Sequence, residues 1–473
     1  MNQQNKNLGF YTKGLTLPVL LLLNSSIYAS ERPNIILVFA DDLGIGDLGC
    51  YGQTMTLTPN IDRMAKEGIR FTNFYSGAPV SSPSRCNLLT GMHAGHAEIR
   101  HNANDPIHGQ IPISDDAFTM AEMLKSKGYT NGCFGKWGLG APGNSGDPLK
   151  QGFDEFFGYY CQCYAHNSFP DKLWHNYDTV FLKNEIVPVK VNFIDYPLSY
   201  SKKKIDFAPD IYFSEALDFI DKNQKKPFFL YYATTLPHNN GEAPANEKHE
   251  VKDLGIYKNK DWTELEKSYA AMVTLLDSQM GQLFDKLKKQ GIDKNTIVIF
   301  TSDNGASFNS PNMKNNSDYR GKKSTLYEGG IREPLIVRWP EKIKSGSKSE
   351  MPCATYEIMP TFAEITGAKI PVKIDGRSFL STLQGKKQKQ NNFLYWEYYS
   401  GDRSPVQAIR KGDWKMLRFN FMNPEKQELE LYNLATDPFE KDNLAKEKPA
   451  MVEEMTGILN SQHSDYKYIN IKD

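Results

Sequence analysis

Residues 33–44 read Pro-Asn-Ile-Ile-Leu-Val-Phe-Ala-Asp-Asp-Leu-Gly, an apolar run that ends in two adjacent carboxylates. An unbroken apolar run of this kind predicts a strand over 33–39 that is buried on both faces of a parallel sheet. In open α/β sheets, ligands bind outside the carboxyl ends of the strands. Asp41 and Asp42 would stand there, and they would repel each other unless a cation or a helix terminus lay between them. A solvated acidic turn is the alternative interpretation.

Three further predicted strands lead to polar side chains in the same way. The strand over 129–134 leads to Lys136, the strand over 227–233 to His238, and the strand over 296–302 to Asp303 and Asn304. If these strands are neighbours, their carboxyl ends bring oxygen ligands and cationic groups together. Three carboxylates and one amide form an oxygen-only set, which suits Ca²⁺ or Mg²⁺ better than Zn²⁺. The members of this set are Asp41, Asp42, Asp303 and Asn304.

A second distinctive segment covers residues 81–91 and reads Ser-Ser-Pro-Ser-Arg-Cys-Asn-Leu-Leu-Thr-Gly. Proline is favoured in the first turn of a helix, so the segment predicts a helix that begins near Pro83. The Ser81 hydroxyl would lie at the mouth of this helix, where free N–H groups and the helix dipole favour an anion. An ordinary Ser-Pro turn before a surface helix is the alternative.

Predicted strands and helices alternate to about residue 370, which predicts a doubly wound α/β sheet. The predicted helices cover 59–67, 118–127, 213–222 and 263–290. Residues 151–178 are rich in aromatic side chains, and we interpret them as a long loop or lid over a pocket. Residues 180–207 are predicted to form a hairpin.

The pattern changes beyond residue 376. Antiparallel strands are predicted over 393–399, 407–410, 414–419 and 429–434, and a helix over 449–459 would cover one face of their sheet. We therefore expect a catalytic domain over 31–375 and a smaller C-terminal α+β subdomain over 376–473, formed by an antiparallel sheet plus a helix.

The composition excludes several classes of protein. The chain has 473 residues with 56 basic and 56 acidic side chains, so its net charge gives no long-range attraction to nucleic acid or to an anionic membrane. Aromatic residues make up 12%, which fits a folded enzyme or a sugar-facing surface and excludes a disordered chain. The six cysteines match no zinc-site spacing, and their spacing does not fix a disulfide pairing.

Residues 1–30 are predicted to be a secretory signal peptide. Lys6 and Lys13 precede an apolar run over 15–23, and Tyr28-Ala29-Ser30 offers a cleavage site with small residues. The run is too short to span a bilayer, and no later segment is long and apolar enough to do so. A buried core strand is the alternative. We expect an exported protein without a membrane span.

The motifs together resemble the type I sulfatase family. The family signature of Cys or Ser, any residue, Pro-Ser-Arg, and then Leu-Thr-Gly is matched over residues 81–91. The resemblance extends in the family's order from Asn34 to about Leu444. It includes Asp-Asp-Leu-Gly at 41–44, Gly-Lys-Trp-x-Leu-Gly at 135–140, Pro-His at 237–238, Ser-Asp-Asn-Gly at 302–305, Arg-Gly-x-Lys at 320–323, Tyr-Glu-Gly-Gly-Ile-Arg at 327–332 and Leu-Tyr-Asn-Leu-x-x-Asp-Pro-x-Glu at 431–440.

The resemblance implies an alkaline-phosphatase-like fold and a formylglycine-dependent sulfatase. Ser81 would be converted to formylglycine (3-oxoalanine), whose hydrate supplies a nucleophile that serine alone cannot supply. One Ca²⁺ per chain would be held by Asp41, Asp42, Asp303 and Asn304, with residue 81 completing its ligands. Arg85 would hold the hydrate, while Lys136, Lys323 and His238 would bind sulfate oxygens and help the alcohol leave. Lys323 is preferred to Lys322 because its spacing to Glu328 matches the family pattern.

This chain departs from the family pattern at two positions. Many relatives carry histidine where this chain has Gly138, and we hypothesise that His166 or His238 compensates. Ser81 replaces the commoner cysteine, and serine-type members resemble those matured by an anaerobic radical enzyme. This implies a bacterium that lives without oxygen and a periplasmic or secreted protein. An engineered Cys-to-Ser replacement would look the same in the sequence.

Two rival functions stay open at this point. A phosphate-ester hydrolase of the same fold typically holds two Zn²⁺ with an Asp-His pair, which this chain does not show near Asp303-Asn304. The other rival is a catalytically inactive binder of sulfated glycans in which Ser81 is never modified.

Sulfated sugars are the expected substrates. The segment 152–174 and the Trp-Glu-Tyr run at 396–398 resemble a carbohydrate-sulfatase branch, which favours galactose-type or N-acetylgalactosamine-type sulfates. Candidate sugar contacts are Arg100, His101, His166, Asp171, Glu397 and Arg403.

Overall fold

The computed structural model describes residues 1, 9, 32–103, 105, 108–191, 194–389, 391–401 and 403–469, and residues 32–473 form one compact unit. Apart from residues 1 and 9, the predicted signal peptide lies outside the described residues. The strands are, in chain order, β1 (Asn34–Ala40), β2 (Ile69–Tyr75), β3 (Thr130–Lys136), β4 (Glu155–Tyr159), β5 (Lys172–His175), β6 (Asp178–Phe181), β7 (Glu185–Val191), β8 (Ile194–Lys203), β9 (Phe228–Ala233), β10 (Thr296–Ser302), β11 (Arg332–Arg338), β12 (Ser347–Ser349), β13 (Cys353–Ala354), β14 (Leu394–Tyr398), β15 (Val406–Lys411), β16 (Trp414–Phe419) and β17 (Glu428–Asn433).

The helices lie between and after these strands. They are α1 (Pro59–Glu67), α2 (Ser81–Thr90), α3 (Met120–Lys125), α4 (Ala208–Asn223), α5 (Glu264–Lys289), α6 (Glu328–Ile331), α7 (Ile358–Thr366), α8 (Leu380–Leu383) and α9 (Pro449–Gln462). Among the described helices, none combines the length and the apolar composition needed to cross a membrane.

An eleven-stranded mixed sheet has the order β12-β2-β11-β10-β1-β9-β3-β4-β5-β6, and β13 pairs with β2. The central strands β10, β1, β9, β3 and β4 run parallel. This confirms the predicted doubly wound sheet. The sheet becomes antiparallel where β11 pairs with β10 and β2, and again where β5 pairs with β4 and β6.

The two faces of β1 explain its unbroken apolar sequence. Ile36 and Val38 enter one hydrophobic core together with residues of α1, α4 and α5. Ile35, Leu37 and Phe39 enter a second core with residues of α2, α3 and α7. Because helices cover both faces, every position of the strand is buried, and apolar residues stabilise it throughout.

The interpretation of residues 151–178 as a loop or lid is wrong. This segment extends the main sheet as β4 and β5, with a short 3₁₀ turn at Tyr164–His166 between them. Most of its aromatic side chains pack inside the protein: Phe156 and Tyr159 are both fully buried, whereas Tyr177 is exposed. Aromatic richness reflects core packing here, because large rings bury much apolar surface.

The predicted hairpin and C-terminal subdomain both form. The hairpin pairs β7 with β8, and β14–β17 form a four-stranded antiparallel sheet. Met455 and Leu459 of α9 pack on one face of this sheet against Tyr395 and Met416. The other face packs against the segment that carries Val80, next to the start of α2. Among the described residues there is no disulfide.

Candidate active site

The parallel register of the central strands determines which side chains meet at the carboxyl edge of the sheet. Ala40 of β1 pairs with Ser302 of β10, so the aspartates that follow them leave the sheet side by side. The N–H of Asp303 donates to the carbonyl oxygen of Ala40 at 3.1 Å. Strands β9 and β3 run parallel on the other side of β1, so the residues at their ends reach the same edge.

The oxygen-bearing residues predicted from the sequence are buried together at this edge. Asp41 and Asp42 are each 1% exposed, and Asp303 and Asn304 are completely buried. The N–H of Asp42 donates to Asp303 Oδ1 at 3.1 Å, and Asn304 Nδ2 donates to Asp42 Oδ1 at 2.7 Å. Asp42 has φ of 62°, a left-handed conformation that is uncommon outside glycine and clusters at functional sites.

Ser81 begins α2 and points its hydroxyl into this cluster. Ser81 Oγ donates to Asp41 Oδ1 at 3.1 Å and lies 3.2 Å from Lys136 Nζ, which donates to it. Lys136 also donates to Asp41 Oδ2 at 2.7 Å. Every residue of α2 is buried. The alternative interpretation, an ordinary Ser-Pro turn before a surface helix, is therefore wrong. Ser81 therefore lies at a helix mouth, between one carboxylate and one ammonium group.

Arg85, one turn along α2 from Ser81, contacts the carboxylates of both Asp41 and Asp303. Its NH2 atom lies 3.2 Å from Asp303 Oδ2 and 3.6 Å from Asp41 Oδ2, and NH1 donates to the Lys136 carbonyl at 2.8 Å. The guanidinium is completely buried and lies over the ring of Phe39. A buried guanidinium without paired carboxylates would be costly, so Arg85 and the aspartates stabilise each other.

Burial and crowding divide the carboxylates electrostatically. Burial, and after it the neighbouring Asp41 carboxylate, raises the pKa of Asp303 to about 7. Although burial opposes ionisation of Asp41 as well, Lys136, His238 and Arg85 hold its pKa well below its usual range. Like charges confined in one site cannot all ionise cheaply. The arrangement therefore favours a bound cation.

Lys323 and His238 form the outer side of the cluster. Lys323 Nζ lies 2.7 Å from Asp42 Oδ1 and 3.0 Å from His238 Nε2. His238 Nδ1 donates to the Asn239 carbonyl at 2.7 Å. Burial, and after it Lys323, lowers the pKa of His238 to about 3. The imidazole is therefore neutral, with its proton on Nδ1, and accepts from Lys323 through Nε2.

His166 stacks on His238, with ring centroids 4.8 Å apart and planes 17° apart. Its Nδ1 lies 3.2 Å from Glu242 Oε2. His166 belongs to the 3₁₀ turn after β4, whereas His238 and Glu242 follow β9. The structure thus brings His166 beside the catalytic candidates: it stacks on His238, which in turn contacts Lys323.

Gly138 adopts φ of +75° and borders a different group of side chains. Ser82 Oγ donates to Gln162 Oε1 at 2.5 Å and lies 3.1 Å from the Gly138 carbonyl oxygen. A Cβ placed at Gly138 would lie 3.5 Å from Gln162 Cβ and 3.7 Å from Ser82 Oγ. Gln162 therefore occupies the space beside this position, and His166 approaches the site from the side of His238.

The oxygen-rich cluster fits a hard cation. Asn304 Oδ1 is buried and has no hydrogen-bond partner in the described part of the chain, which is costly unless a cation or water meets it. Carboxylate and amide oxygens are the ligands that Ca²⁺ prefers. Four residues present such oxygens together: Asp41, Asp42, Asp303 and Asn304.

A second group with metal-binding side chains lies elsewhere and fits a metal poorly. His93, His96 and Asp375 lie close together among the described residues. His93 Nδ1 accepts from the Gly95 N–H at 3.1 Å, and Nε2 lies 3.3 Å from Gln462 Oε1. The proton of neutral His93 must therefore be on Nε2, where a metal would need a lone pair. This group clamps chain segments together by hydrogen bonds.

The remaining candidate sugar contacts are engaged with other protein groups. Arg100 NH1 pairs with Glu397 Oε1 at 2.8 Å, and both side chains are buried. His101 Nδ1 lies 2.8 Å from the Tyr466 hydroxyl, and Asp171 accepts from the Tyr164 hydroxyl. Arg403 pairs with Glu428 and Glu430 at 3.0 Å and 3.1 Å. Of the six candidates, His166 is the one that contacts the described catalytic candidates.

Sequence reasoning did not single out Gln162 or Glu242. Gln162 lies between two cysteines, and Glu242 lies in a polar loop four residues after His238. Neither belongs to a motif with a known mechanism. The available signal was their position in loops after strands, which is too common to identify a residue by itself.

Comparisons with known proteins find one enzyme family over most of the chain. A family model described as Sulfatase matches residues 33–368, and one described as N-sulphoglucosamine sulphohydrolase, C-terminal, matches residues 320–465. The chain is 35% identical over 435 residues to N-acetylgalactosamine-6-sulfatase of Rattus norvegicus, covering 86% of this chain and 76% of the relative.

A bacterial relative and a solved structure are similar over almost the whole chain. N-acetylgalactosamine-6-O-sulfatase of Bacteroides thetaiotaomicron is 31% identical over 513 residues, covering 91% of this chain and 93% of the relative. The crystal structure of Ps i-CgsB in complex with k-i-k-neocarrahexaose is 29% identical with a TM-score of 0.76, covering 93% of this chain and 94% of that chain.

Proposed function

The chain belongs to the sulfatase family, and we propose that it hydrolyses sulfate esters of galactose-type or N-acetylgalactosamine-type sugars. The observation that carries this proposal is the position of Ser81 Oγ, within hydrogen-bond distance of both Asp41 and Lys136 in a buried cluster. Relatives named N-acetylgalactosamine-6-sulfatase support the choice of sugar, and 6-sulfated N-acetylgalactosamine is the first substrate to test.

The proposal includes one Ca²⁺, held by Asp41, Asp42, Asp303, Asn304 and residue 81. A bound Ca²⁺ would polarise the sulfate ester and stabilise the negative charge that grows on its oxygens. The orphaned Asn304 Oδ1 and the raised pKa of Asp303, which burial and then Asp41 cause, support a cation at this position.

The proposal also includes conversion of Ser81 to formylglycine by a maturation enzyme, for which the anaerobic radical type is the candidate. The hydrated aldehyde would supply the nucleophile that an unaided serine hydroxyl lacks. The protein's own contribution is to hold residue 81 between Asp41 and Lys136 and to keep the region around α2 buried.

The cationic side chains support a position for the sulfate group within this cluster. Lys136 comes from the end of β3 and Lys323 from the loop between β10 and α6, and Arg85 pairs with the carboxylates of Asp41 and Asp303. Positive groups fixed in a buried site stabilise developing negative charge without reorganisation. We infer that Lys136, Lys323 and neutral His238 orient the sulfate, while a proton donor assists the departing alcohol.

The proposed setting is export to the periplasm or beyond in a bacterium, after removal of residues 1–30. We also keep the proposed division into a catalytic domain over 31–375 and a C-terminal antiparallel-sheet subdomain over 376–473. The face of that sheet next to Val80 supports the start of α2, so the subdomain would buttress the site.

The test uses protein matured in an anaerobic host that carries a radical maturation enzyme. Mass spectrometry of the peptide that contains residue 81 should show loss of two hydrogens, and the protein should release sulfate from N-acetylgalactosamine 6-sulfate. Ser81→Ala is the matched control and should be inactive. Release of phosphate from the phosphate analogue would favour the phosphate-ester hydrolase instead. Binding without turnover by unmodified protein would favour the inactive glycan binder.

A further inference from the structure

The two stacked histidines differ in which nitrogen atoms are engaged. His238 uses both: Nδ1 donates to the Asn239 carbonyl at 2.7 Å, and Nε2 lies 3.0 Å from Lys323 Nζ. His166 uses only Nδ1, which faces Glu242 Oε2 at 3.2 Å and Oε1 at 3.4 Å. In the described part of the chain, Nε2 of His166 makes no hydrogen bond. This nitrogen is therefore the one that a ligand at the stacked pair can reach.

Glu242 is held firmly enough to set the state of His166. Its N–H donates to Asn240 Oδ1 at 3.1 Å. Asn240 is 1% exposed and donates through Nδ2 to the Ser199 carbonyl at 3.2 Å and to Glu250 Oε2 at 3.3 Å. The Glu242 side chain is itself only 13% exposed. A carboxylate fixed beside Nδ1 keeps the proton of neutral histidine on that nitrogen.

Glu242 is the negatively charged side chain that lies beside His166. His238 lies between Lys323 and His166. The ammonium group of Lys323 would therefore repel a positive charge on His166 unless a carboxylate compensated that charge. The titratable and charged groups that face His166 are Glu242, His238 and Cys163. Although burial opposes it, the hydrogen bond from His166 lowers the pKa of Glu242, so the carboxylate is ionised.

We propose that Glu242 is a positioning residue that fixes one proton of His166 on Nδ1 and balances its charge when Nε2 is also protonated, so that His166 gives the Nε2 proton to the departing alcohol. This rests on the proposed sulfatase function. As the nucleophile proposed at residue 81 bonds to sulfur, the sulfur–oxygen bond to the sugar breaks. The electron pair of that bond stays on the sugar oxygen, which takes the proton from Nε2. His166 is left neutral, with Nδ1–H on Glu242, and solvent returns the proton.

The kinetic test compares full-length, matured Glu242→Gln with the wild type across pH, using sulfate release from N-acetylgalactosamine 6-sulfate. An opposite charge within about 4–6 Å shifts a pKa by roughly one unit or more. Removal of the charge should therefore move the alkaline limb of kcat/KM down by about one pH unit. At pH values above that limb, the kcat of Glu242→Gln should be about tenfold lower than that of the wild type, since one pKa unit is a tenfold change in the protonated fraction. KM should stay nearly constant, and Glu242→Asp should recover part of the loss.

Glu247→Gln is the matched control, because Glu247 lies in the same loop and pairs with exposed Lys204 at 3.0 Å. It should leave the pH profile unchanged. Unchanged kcat and limb in Glu242→Gln would overturn the proposal. A rise in KM alone would also overturn it, since Glu242 would then serve substrate binding instead of proton transfer.

A second measurement does not need turnover. Histidine labelled with ¹⁵N reports protonation of His166, assigned by loss of its signal in His166→Gln. The midpoint should fall by about one pH unit in Glu242→Gln, and an unchanged midpoint would overturn the charge-balancing role. If correctly matured wild type released no sulfate from any sulfated sugar, the proposed function would fail. The titration of His166 would still decide the role of Glu242.

Discussion

Ser81 shows how a weak hydroxyl is placed where chemistry is possible. Its Oγ lies between Asp41 Oδ1 and Lys136 Nζ, at 3.1 Å and 3.2 Å, and three acidic side chains share the same buried space. The buried Asn304 Oδ1 without a hydrogen-bond partner among the described residues, and the pKa of Asp303, which burial raises to about 7, are the physical reasons for expecting a cation there. Removal of one carboxylate should therefore weaken cation binding more than it weakens the fold.

We predict that Ca²⁺ stabilises the wild type and that Asp303→Asn abolishes this stabilisation. A ligand at 100 times its Kd stabilises the native state by about 2.7 kcal/mol, so chelator-treated wild type should melt at a higher temperature after Ca²⁺ is added. Asp303→Asn removes the charge but keeps the shape of the side chain, and its melting temperature should not respond. Differential scanning calorimetry with and without Ca²⁺ measures both proteins.

Asp318→Asn is the control for this prediction, because Asp318 is 59% exposed and pairs with nearby Lys314. It should respond to Ca²⁺ like the wild type. An equal response of Asp303→Asn and wild type would mean that the cation lies elsewhere.

At the scale of the elements, close approach of strands β3 and β4 depends on glycine. Gly158 has φ of +147°, and a Cβ on it would lie 2.0 Å from the Gly135 carbonyl oxygen. Gly135 and Gly158 are partners in the parallel pairing of β3 and β4. The two strands can therefore pair next to Lys136 only without a side chain at Gly158.

We predict that Gly158→Ala destabilises the protein by about 2 kcal/mol or more, since both the conformation and the contact oppose a side chain. It should also reduce activity, because the end of β3 positions Lys136. Urea unfolding and sulfate release measure the two effects. Gly143→Ala is a suitable control: this glycine also has positive φ, of 91°, but a Cβ there meets nothing within 4 Å. A smaller loss in Gly158→Ala than in Gly143→Ala would contradict the packing argument.

The group formed by His93, His96 and Asp375 joins the loop after α2 to later segments. Burial lowers the pKa of His93 to about 4, although the Asp375 carboxylate acts in the opposite direction. Although burial opposes it, the hydrogen bond from His96 lowers the pKa of Asp375. His93 is thus buried as the neutral imidazole beside a carboxylate.

We predict that this group makes the native state acid-sensitive. The pKa of histidine in an unfolded chain is about 6.5, so stability from neutral His93 is present above that pH and is lost as the pH falls towards 4. The loss is at most about 3 kcal/mol at 1.36 kcal/mol per pKa unit. Asp375 acts in the same direction, because its lowered pKa means that stability is lost as it protonates.

The measurement is the free energy of unfolding between pH 7 and 4 for wild type and His93→Gln. The variant should show a shallower decline with falling pH. His175→Gln, with a side chain that is 40% exposed in the wild type, is the control and should follow the wild type. Parallel curves for His93→Gln and wild type would remove His93 as the cause.

At the scale of the whole molecule, a buried ion network joins the C-terminal sheet to the main body. Lys415 of β16 lies 2.9 Å from both Glu328 Oε1 and Glu440 Oε1, and all three side chains are completely buried. Glu328 also pairs with Arg332 at 3.0 Å. The main body and the antiparallel sheet are therefore joined by one buried network in which positive and negative side chains compensate each other.

We predict that Lys415→Met destabilises the protein by about 3–5 kcal/mol, because removal of one partner leaves buried carboxylates without compensation. The urea midpoint measures the loss. Lys411→Met is the control: Lys411 pairs with Glu454 on the surface, and exposed pairs contribute about 0–1 kcal/mol. Equal stability of the two variants would show that the network does not hold the sheets together.

Much of this organisation can be predicted from short stretches of the sequence. The apolar run of β1 is continuous because helices cover both faces of the strand, so burial leaves a direct mark on its sequence. Polar residues at or soon after the ends of strands predicted which groups meet at one edge of the sheet, because parallel strands end together. The C-terminal strands were visible for a similar reason, since short alternating runs are typical of an antiparallel sheet with different faces.

Other features depend on contacts between distant residues and have no local signal. The direction of β11 and the inclusion of residues 151–178 in the sheet follow from pairing and core packing. The pairing of Arg100 with Glu397 joins residues 297 positions apart, and the approach of Glu242 to His166 joins residues 76 positions apart. The sequence by itself determined the type of strand and the chemistry at its end. Only the tertiary structure decided which polar groups neutralise each other and which remain for a substrate, because that depends on distances set by packing.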